Sequence, residues 1–342
     1  MKSILITGGA GFIGVNAAQH FHERGWAVTI LDNLSRRGAQ DNLDWLRRQR
    51  QVRFERTDIR DRDAIERLVG ELRPDAVLHL AAQVAVTTSV TDPREDFEIN
   101  ALGTFNMLEA VRLKSPDSFF IYASTNKVYG KMDDNGVAER NGRYEYSDLP
   151  NGVGEDRPLD FHSPYGCSKG AADQYTIDYA RIYGIQSVTF RQSCIYGTRQ
   201  FGIEDQGWVA WFTIAAILGK KITIYGDGKQ TRDVLHVDDL ARAYEAAFER
   251  KEAVTGQAFN IGGGPTNIMS LLELIVYLEE DLKIRIPLEW SDRRPGDQPV
   301  FVCNLEKAKR LLEWQPEIPV RDGVGQLICW VRDNKKLFDW LK

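Results

Sequence analysis

The segment "SILITGGAGFIG", Ser3 to Gly14, decides the architecture. Its first half is a short apolar run that reads as a buried strand, and the strand ends directly in glycines. Gly8, Gly11 and Gly14 follow with the spacing GxxGxxG, and "FIGVNAAQHFHERG" then opens as a helix. A strand–turn–helix of this kind needs glycine for the tight turn, for close backbone approach to a diphosphate and for close helix–strand packing. The anion then rests on the free N–H groups of the helix N-terminus. A second strand, "AVTILD", ends at Asp32, whose carboxylate can accept hydrogen bonds from an adenosine ribose. Gly8, Gly11, Phe12, Ile13, Gly14, Asp32 and Asn33 are therefore expected to bind a dinucleotide. Asp32 favours NAD, because a carboxylate there repels a 2′-phosphate. Arg36 and Arg37 either accommodate such a phosphate or are solvated loop charges.

Outward from this segment, short apolar runs alternate with helical patterns. "VRFERTD", "DAIERLVGEL", "AVLHLAA", a helix across "DFEINALGTFNMLEAVRL" and "SFFIYAS" succeed one another. "QSVTFRQ" and "QAFNIGG" supply later strands. This alternation predicts an α/β fold, a Rossmann-type doubly wound parallel sheet, with a smaller mixed α/β substrate-binding domain. The expected division is 1–192 plus 235–262 for the NAD-binding domain and 193–234 plus 263–342 for the second. Asp58 and Ile59 close the third strand, where they are expected to flank the adenine. Ala81, Ala82 and Gln83 end the fourth, and Asn100 on the following helix joins the expected cofactor set. The polar, glycine-rich stretch 131–161 reads as a loop, and a loop of that length is usually functional or mobile.

Composition removes other classes. The 342 residues are 43% hydrophobic and 27% charged with a formal net charge of −5, which gives no support to a nucleic-acid or membrane partner. The basic run at Arg47–Arg50 reads as a solvated helix end. No apolar run reaches spanning length, and Cys167, Cys194, Cys303 and Cys329 are scattered without a CxxC pair. The five histidines have no ligand-like spacing, so no metal is expected. A reducing cytoplasm is the expected location.

Two further stretches carry chemistry. "YASTNKVYG", Tyr122 to Gly130, releases a hydroxyl, an amide and an ammonium where a buried strand should end. "SPYGCSKGAADQY" carries Tyr165 and Lys169 four apart at the start of a helix, so both project from one face. A lysine ammonium beside a phenol is expected to lower the tyrosine pKa. The phenolate could then take a proton from a sugar hydroxyl while hydride leaves the same carbon. A second such spacing, Tyr225 to Lys229 in "YGDGK", reads as a turn.

In this order, "TGGAGFIG", Asp32, "YASTNKVYG", "YGCSK" and "GDGKQTRDVLHVDDLARA" resemble the extended short-chain dehydrogenase/reductase superfamily, specifically its nucleotide-sugar-modifying members. The resemblance implies that Thr125 hydrogen-bonds the reacting oxygen beside Tyr165, with Ser124 behind it, and that Lys169 completes the catalytic set. In 4,6-dehydratase relatives the next two positions carry Asp and Glu, the acid and base of water elimination. Here they are Asn126 and Lys127, which argues against a dehydratase. "STNKVYG", "DFHSPYGCSKG" and "RQFGIEDQGWVAWF" narrow the resemblance to the CDP-tyvelose (CDP-paratose) 2-epimerase branch.

That branch implies an NAD-dependent isomerase that inverts C2 of a CDP-hexose through a 2-keto sugar, with CDP-glucose as a second candidate substrate. Ser124, Asn126, His162, Arg232, Arg294 and Asp297 are its expected substrate-binding residues, the arginines as diphosphate clamps. His162 either lines the sugar pocket or caps the helix, and surface ion pairing is the plainer role for each arginine. The cytosine is expected near Gln206, Trp208 or Tyr225, and Cys194 near the nicotinamide. A UDP- or CDP-sugar 4-epimerase needs the same Thr, Tyr, Lys and NAD and stays open, as does, remotely, a non-catalytic NAD-sensing regulator. The helices across 96–113 and 166–183 either form a four-helix bundle in a homodimer or homotetramer or simply cover the sheet.

Overall fold

A computed structural model of the chain describes residues 1–293 and 298–341. Its centre is a seven-stranded sheet, parallel at every strand pairing. Strands β1 (Ser3–Thr7), β2 (Ala27–Leu31), β3 (Arg53–Glu55), β4 (Ala76–His79) and β5 (Phe119–Thr125) are joined by Ser187–Gln192 and Gln257–Ile261. Across the sheet the order is Gln257–Ile261, Ser187–Gln192, β5, β4, β1, β2, β3. The reversal lies between β1 and β4, so the crevice beyond their carboxyl ends is where this topology receives a ligand.

The strands are apolar on both sides for a reason visible in β1. Ile4 and Ile6 enter one core with Phe21, Phe190 and Tyr244, while Leu5 enters the opposite core with Val69, Met107 and Phe120. A sheet covered on both faces cannot alternate polar and apolar residues. Helices α1 (Phe12–Glu23), α2 (Ala39–Gln49) and α3 (Arg62–Leu72) supply part of the cover.

A third core gathers around the helices Trp208–Ile217, Leu271–Leu282 and Val320–Asp333. It is joined to the cofactor-side loop after β2. A side-chain carbon on Gly38 would meet the Phe201 ring at 2.2 Å, and the Arg37 guanidinium lies 4.1 Å from the centre of the Trp340 ring. Arg199 is held 3.8 Å over Trp45 of α2.

Two expectations are corrected here. The helix expected across 96–113 is a short helix Pro93–Phe97, a π-helical turn Glu98–Leu102 and a helix Gly103–Lys114. Asn100, inside the wide turn, exchanges hydrogen bonds with the backbone of Gln83 in both directions. Such turns concentrate at functional sites. The stretch 131–161 is not structureless: Val137–Arg140 and Arg143–Tyr146 form an antiparallel hairpin turning at Asn141 and Gly142, both at positive φ. Tyr146 donates to the Val300 carbonyl, and Arg143 pairs with Glu273, so the hairpin is docked.

Candidate active site

The glycine loop forms a cradle with no room for side chains. Gly8 has φ of +65°, and a Cβ there would stand 2.8 Å from the Ala81 nitrogen. A Cβ on Gly14 would stand 2.3 Å from the Gly8 carbonyl oxygen. Gly11 is the N-cap of α1 and offers no side-chain cap, which leaves the first N–H groups of the helix for an anion. Asp32 accepts from Ala10 N at 3.1 Å and from Leu34 N at 2.7 Å, and burial raises its pKa against those bonds. Asn33 donates to Asp58, whose carboxyl is held down to about 2, chiefly by Arg60. Ile59 is buried behind them, packing into the space left by Gly103. These residues fit a dinucleotide with an unphosphorylated ribose.

Beneath the cradle runs a hydrogen-bond chain that sequence reasoning missed. Thr7 Oγ1 accepts from Leu80 N and Ala81 N, each at 3.2 Å, so its own proton goes to His79 Nδ1, 2.7 Å away. His79 Nε2 then carries the ring proton and gives it to Thr104 Oγ1 at 3.0 Å. Thr104 in turn donates to the Asn100 carbonyl at 2.6 Å. Every donor already faces an acceptor, which assigns the neutral ring.

The strand β5 delivers Thr125 at its last position, where Thr125 Oγ1 caps the one-turn helix Asn126–Tyr129 by accepting from Lys127 N at 3.3 Å. The long helix Ser163–Tyr183 brings Tyr165 and Lys169 to the same place, both buried. Burial pushes the Tyr165 phenol up to about 12, while a hydrogen bond with Thr125 and the charge of Arg36 pull it down. Lys169 has polar and aromatic partners of its own here. Its ammonium donates to the Ala123 carbonyl at 2.5 Å and lies 4.4 Å from the centre of the Tyr122 ring. Desolvation draws Lys169 itself down to about 7, against the charges of Asp173 and Asp96.

Ser124 lies one position before Thr125 on the same strand. Its hydroxyl donates to Asp173 Oδ2 at 2.7 Å, and Asp173, fully buried, is paired with Arg191 at 3.0 Å. The side chain thus braces the strand end against the long helix. Asn126 keeps its place beside Thr125, its Oδ1 accepting from Thr125 Oγ1 at 3.3 Å. His162 is the N-cap residue of the long helix but makes no side-chain cap; it pairs instead with Asp160 at 2.8 Å. Arg232 is buried with Nη1 on the Thr231 carbonyl, and its charge reaches the Cys194 thiol, which burial pushes up. Gln206 accepts from Arg36, Tyr225 donates to Glu204 at 3.1 Å, and the buried Trp208 indole faces the Cys194 thiol. Arg294 and Asp297 lie outside the described residues. The Tyr225–Lys229 spacing is a turn, with Gly226 and Gly228 at positive φ.

A family model described as GDP-mannose 4,6 dehydratase matches residues 5–327. The chain belongs to this family. As a GDP-mannose 4,6 dehydratase family member it is 47% identical over 332 residues to the CDP-paratose 2-epimerase of Salmonella typhi, covering 96% of this chain and 98% of that relative. Among solved structures it is similar to the UDP-glucose 4-epimerase of Thermus thermophilus in complex with NAD, at TM-score 0.82 and 31% identity, with 97% and 99% of the two chains covered. It is similar also to the UDP-glucuronic acid 4-epimerase of Bacillus cereus in complex with UDP-glucuronic acid and NAD, at TM-score 0.82 and 29% identity over 97% and 99% of the chains. The solved relatives and the central sheet agree on a Rossmann-type α/β fold.

Proposed function

We propose that this chain is an NAD-dependent epimerase that inverts C2 of a CDP-hexose, converting CDP-paratose to CDP-tyvelose, with CDP-glucose as a second candidate. The observation that carries this is the end of β5, where Thr125 meets Tyr165 and is followed by Asn126 and Lys127. An amide and an ammonium there supply neither the acid nor the base of an elimination, although the family model is described by a dehydratase. The similarity to the Salmonella typhi relative supports C2 and the cytidine base.

In this reading the glycine loop, Asp32 and Asn33 hold NAD, which when bound takes up hydride from the sugar and returns it. Tyr165 removes the proton of the C2 hydroxyl as that hydride leaves, and Thr125 orients the reacting oxygen. The sugar turns in its pocket, and Tyr165 gives the proton back on reduction of the other face. Lys169 holds positive charge behind the phenol, and Asn126, His162 and Arg232 contact the substrate. Proton transfer by a placed group is worth about 10²–10⁴ in rate, and orientation of the sugar supplies much of the remainder.

The segments 193–234 and 263–342 form the substrate side of the cleft, and 1–192 with 235–262 the cofactor side. Phe97, Leu102, Tyr175, Ile182 and Tyr183 are exposed along neighbouring helices, which supports a homodimer packed through them. No helix among the described residues is long and apolar enough to cross a membrane, and we place the enzyme in the cytoplasm. Proton NMR in D₂O with CDP-paratose and, separately, CDP-glucose tests the proposal. Inversion at C2 without deuterium there is expected; deuterium at C2, or inversion at C4, overturns it.

A further inference from the structure

Asp96 is a buried carboxylate that the mechanism above does not use. It sits in the short helix Pro93–Phe97, just before the π-helical turn, and is 1% exposed. Its oxygens collect three neutral donors: Ser168 Oγ at 2.5 Å, Gln83 Nε2 at 2.8 Å and Asn100 Nδ2 at 3.1 Å. Asp173, the other buried carboxylate nearby, is neutralised by two bonds from Arg191. Among the described residues no arginine, lysine or histidine comes within ion-pair distance of Asp96. A buried charge held only by neutral donors is costly, and where it persists its field acts on whatever ionises nearby.

What Asp96 ties together is specific. Ser168 precedes Lys169 on the long helix, and its hydroxyl oxygen, whose proton goes to Asp96, lies 3.2 Å from the Tyr165 carbonyl oxygen, so it belongs to the turn that carries both reacting side chains. Gln83 belongs to the segment following β4 on the cofactor side of the crevice. Asn100 holds that segment's backbone, accepting from Gln83 N and donating to Gln83 O. Residues 96 and 100 are four apart along the helical segment, so both face these partners.

We propose that Asp96 is a positioning residue for the reaction: through Ser168 it holds the helical turn between Tyr165 and Lys169, and through Gln83 and Asn100 it locks that turn to the cofactor-side segment. This rests on the functional assignment of Tyr165 and Lys169 made above. Its charge has a second effect, since it favours the protonated form of both the phenol and the ammonium. The other ionisable groups facing the pair are Arg36 from the loop after β2, His79 at the end of β4, Tyr122 on β5, and Asp173 with Arg191 behind it. Of these carboxylates Asp96 alone reaches both Tyr165 and Lys169.

The test uses NAD-loaded protein with ¹³C-labelled lysines, in which the Cε shift of Lys169, assigned by its loss in Lys169→Met, is followed against pH. Asp96→Asn removes the charge at constant side-chain size. It is expected to lower the Lys169 midpoint by about one pH unit, the size of one full charge acting through protein interior. In parallel, kcat for C2 inversion is expected to fall roughly tenfold, with KM little changed, as the turn loses its anchor. Ser168→Ala keeps the charge and should lower kcat without moving the midpoint. An unmoved midpoint in Asp96→Asn, or a wild-type kcat in Ser168→Ala, overturns the proposal; the second variant decides it if the first does not fold. If the wild-type protein inverts no sugar at C2 and the midpoint still moves, Asp96 keeps its place and the proposed reaction falls.

Discussion

Acidification is expected to attack this protein first at His79. The ring is 1% exposed, and burial, with the nearby charge of Lys169, drives its pKa down to about 3 from the ordinary 6.5. The hydrogen-bond chain gives the same answer from geometry. Nδ1 accepts the Thr7 proton and Nε2 donates to Thr104, so a second ring proton would set donor against donor at Thr7. A histidine with a lowered folded pKa binds fewer protons folded than unfolded. Its contribution is therefore intact above pH 6.5 and is lost progressively as pH falls toward 3. At pH 5 the loss is about 1.5 units of free-energy linkage, or about 2 kcal/mol, a sizeable part of a typical stability. Urea unfolding at pH 7.5 and 5.0, at fixed NAD occupancy, measures this as the difference between wild type and His79→Gln. The glutamine can accept from Thr7 and donate to Thr104 but cannot titrate. It is expected to be the less stable protein at pH 7.5 and to recover about 2 kcal/mol relative to wild type at pH 5.0. A wild-type-minus-variant difference that is the same at both pH values refutes the neutral, buried ring.

Other perturbations have equally definite outcomes. Tyr165→Phe should lower the rate of C2 inversion by about 10²-fold or more while the protein still carries NAD, measured by NMR and by cofactor content; near-normal turnover sinks the mechanism. Gly14→Ala should purify without cofactor, because its methyl would stand 2.3 Å from the Gly8 carbonyl oxygen and 2.5 Å from Gly9 Cα; a stoichiometric NAD content would contradict the cradle. Trp340→Ala removes a contact worth about 0.5–1 kcal/mol and should speed NAD release severalfold in a stopped-flow exchange assay, with Arg37→Ala matching it.

How much of this was legible in the residues follows from the range of the interactions. The glycine loop, Asp32 and the strand–helix alternation are local patterns, each set by the chain within a turn or two, and they led to the parallel sheet. Tyr165 and Lys169 were readable because one helical face joins them. Lys169's actual partner, the Ala123 carbonyl, was not, because it depends on where β5 ends relative to a helix some forty residues later. Ser124's partner was unreadable for the same reason: Asp173, with Arg191 behind it, meets the hydroxyl only once strand and helix are packed. The hairpin at 137–146 did have a local signal, Asn141-Gly142, whose paired positive φ values suit the primed two-residue turn. The polar composition around it obscured that signal. Asp96 and His79 carried none, since Ser168, Gln83, Thr7 and Thr104 come from segments far from them in sequence.

The contact between Arg37 and Trp340 has a consequence for the order of assembly. The loop that follows Asp32 carries Arg37, and the ring that covers its guanidinium is Trp340, far later in the sequence. During synthesis the cofactor cradle is complete long before the residues that hold its outer loop have left the ribosome. Secure loading thus waits for the segment around Trp340 to be made and docked. A chain ending at residue 334 should fold its sheet, pick up NAD and let it go again.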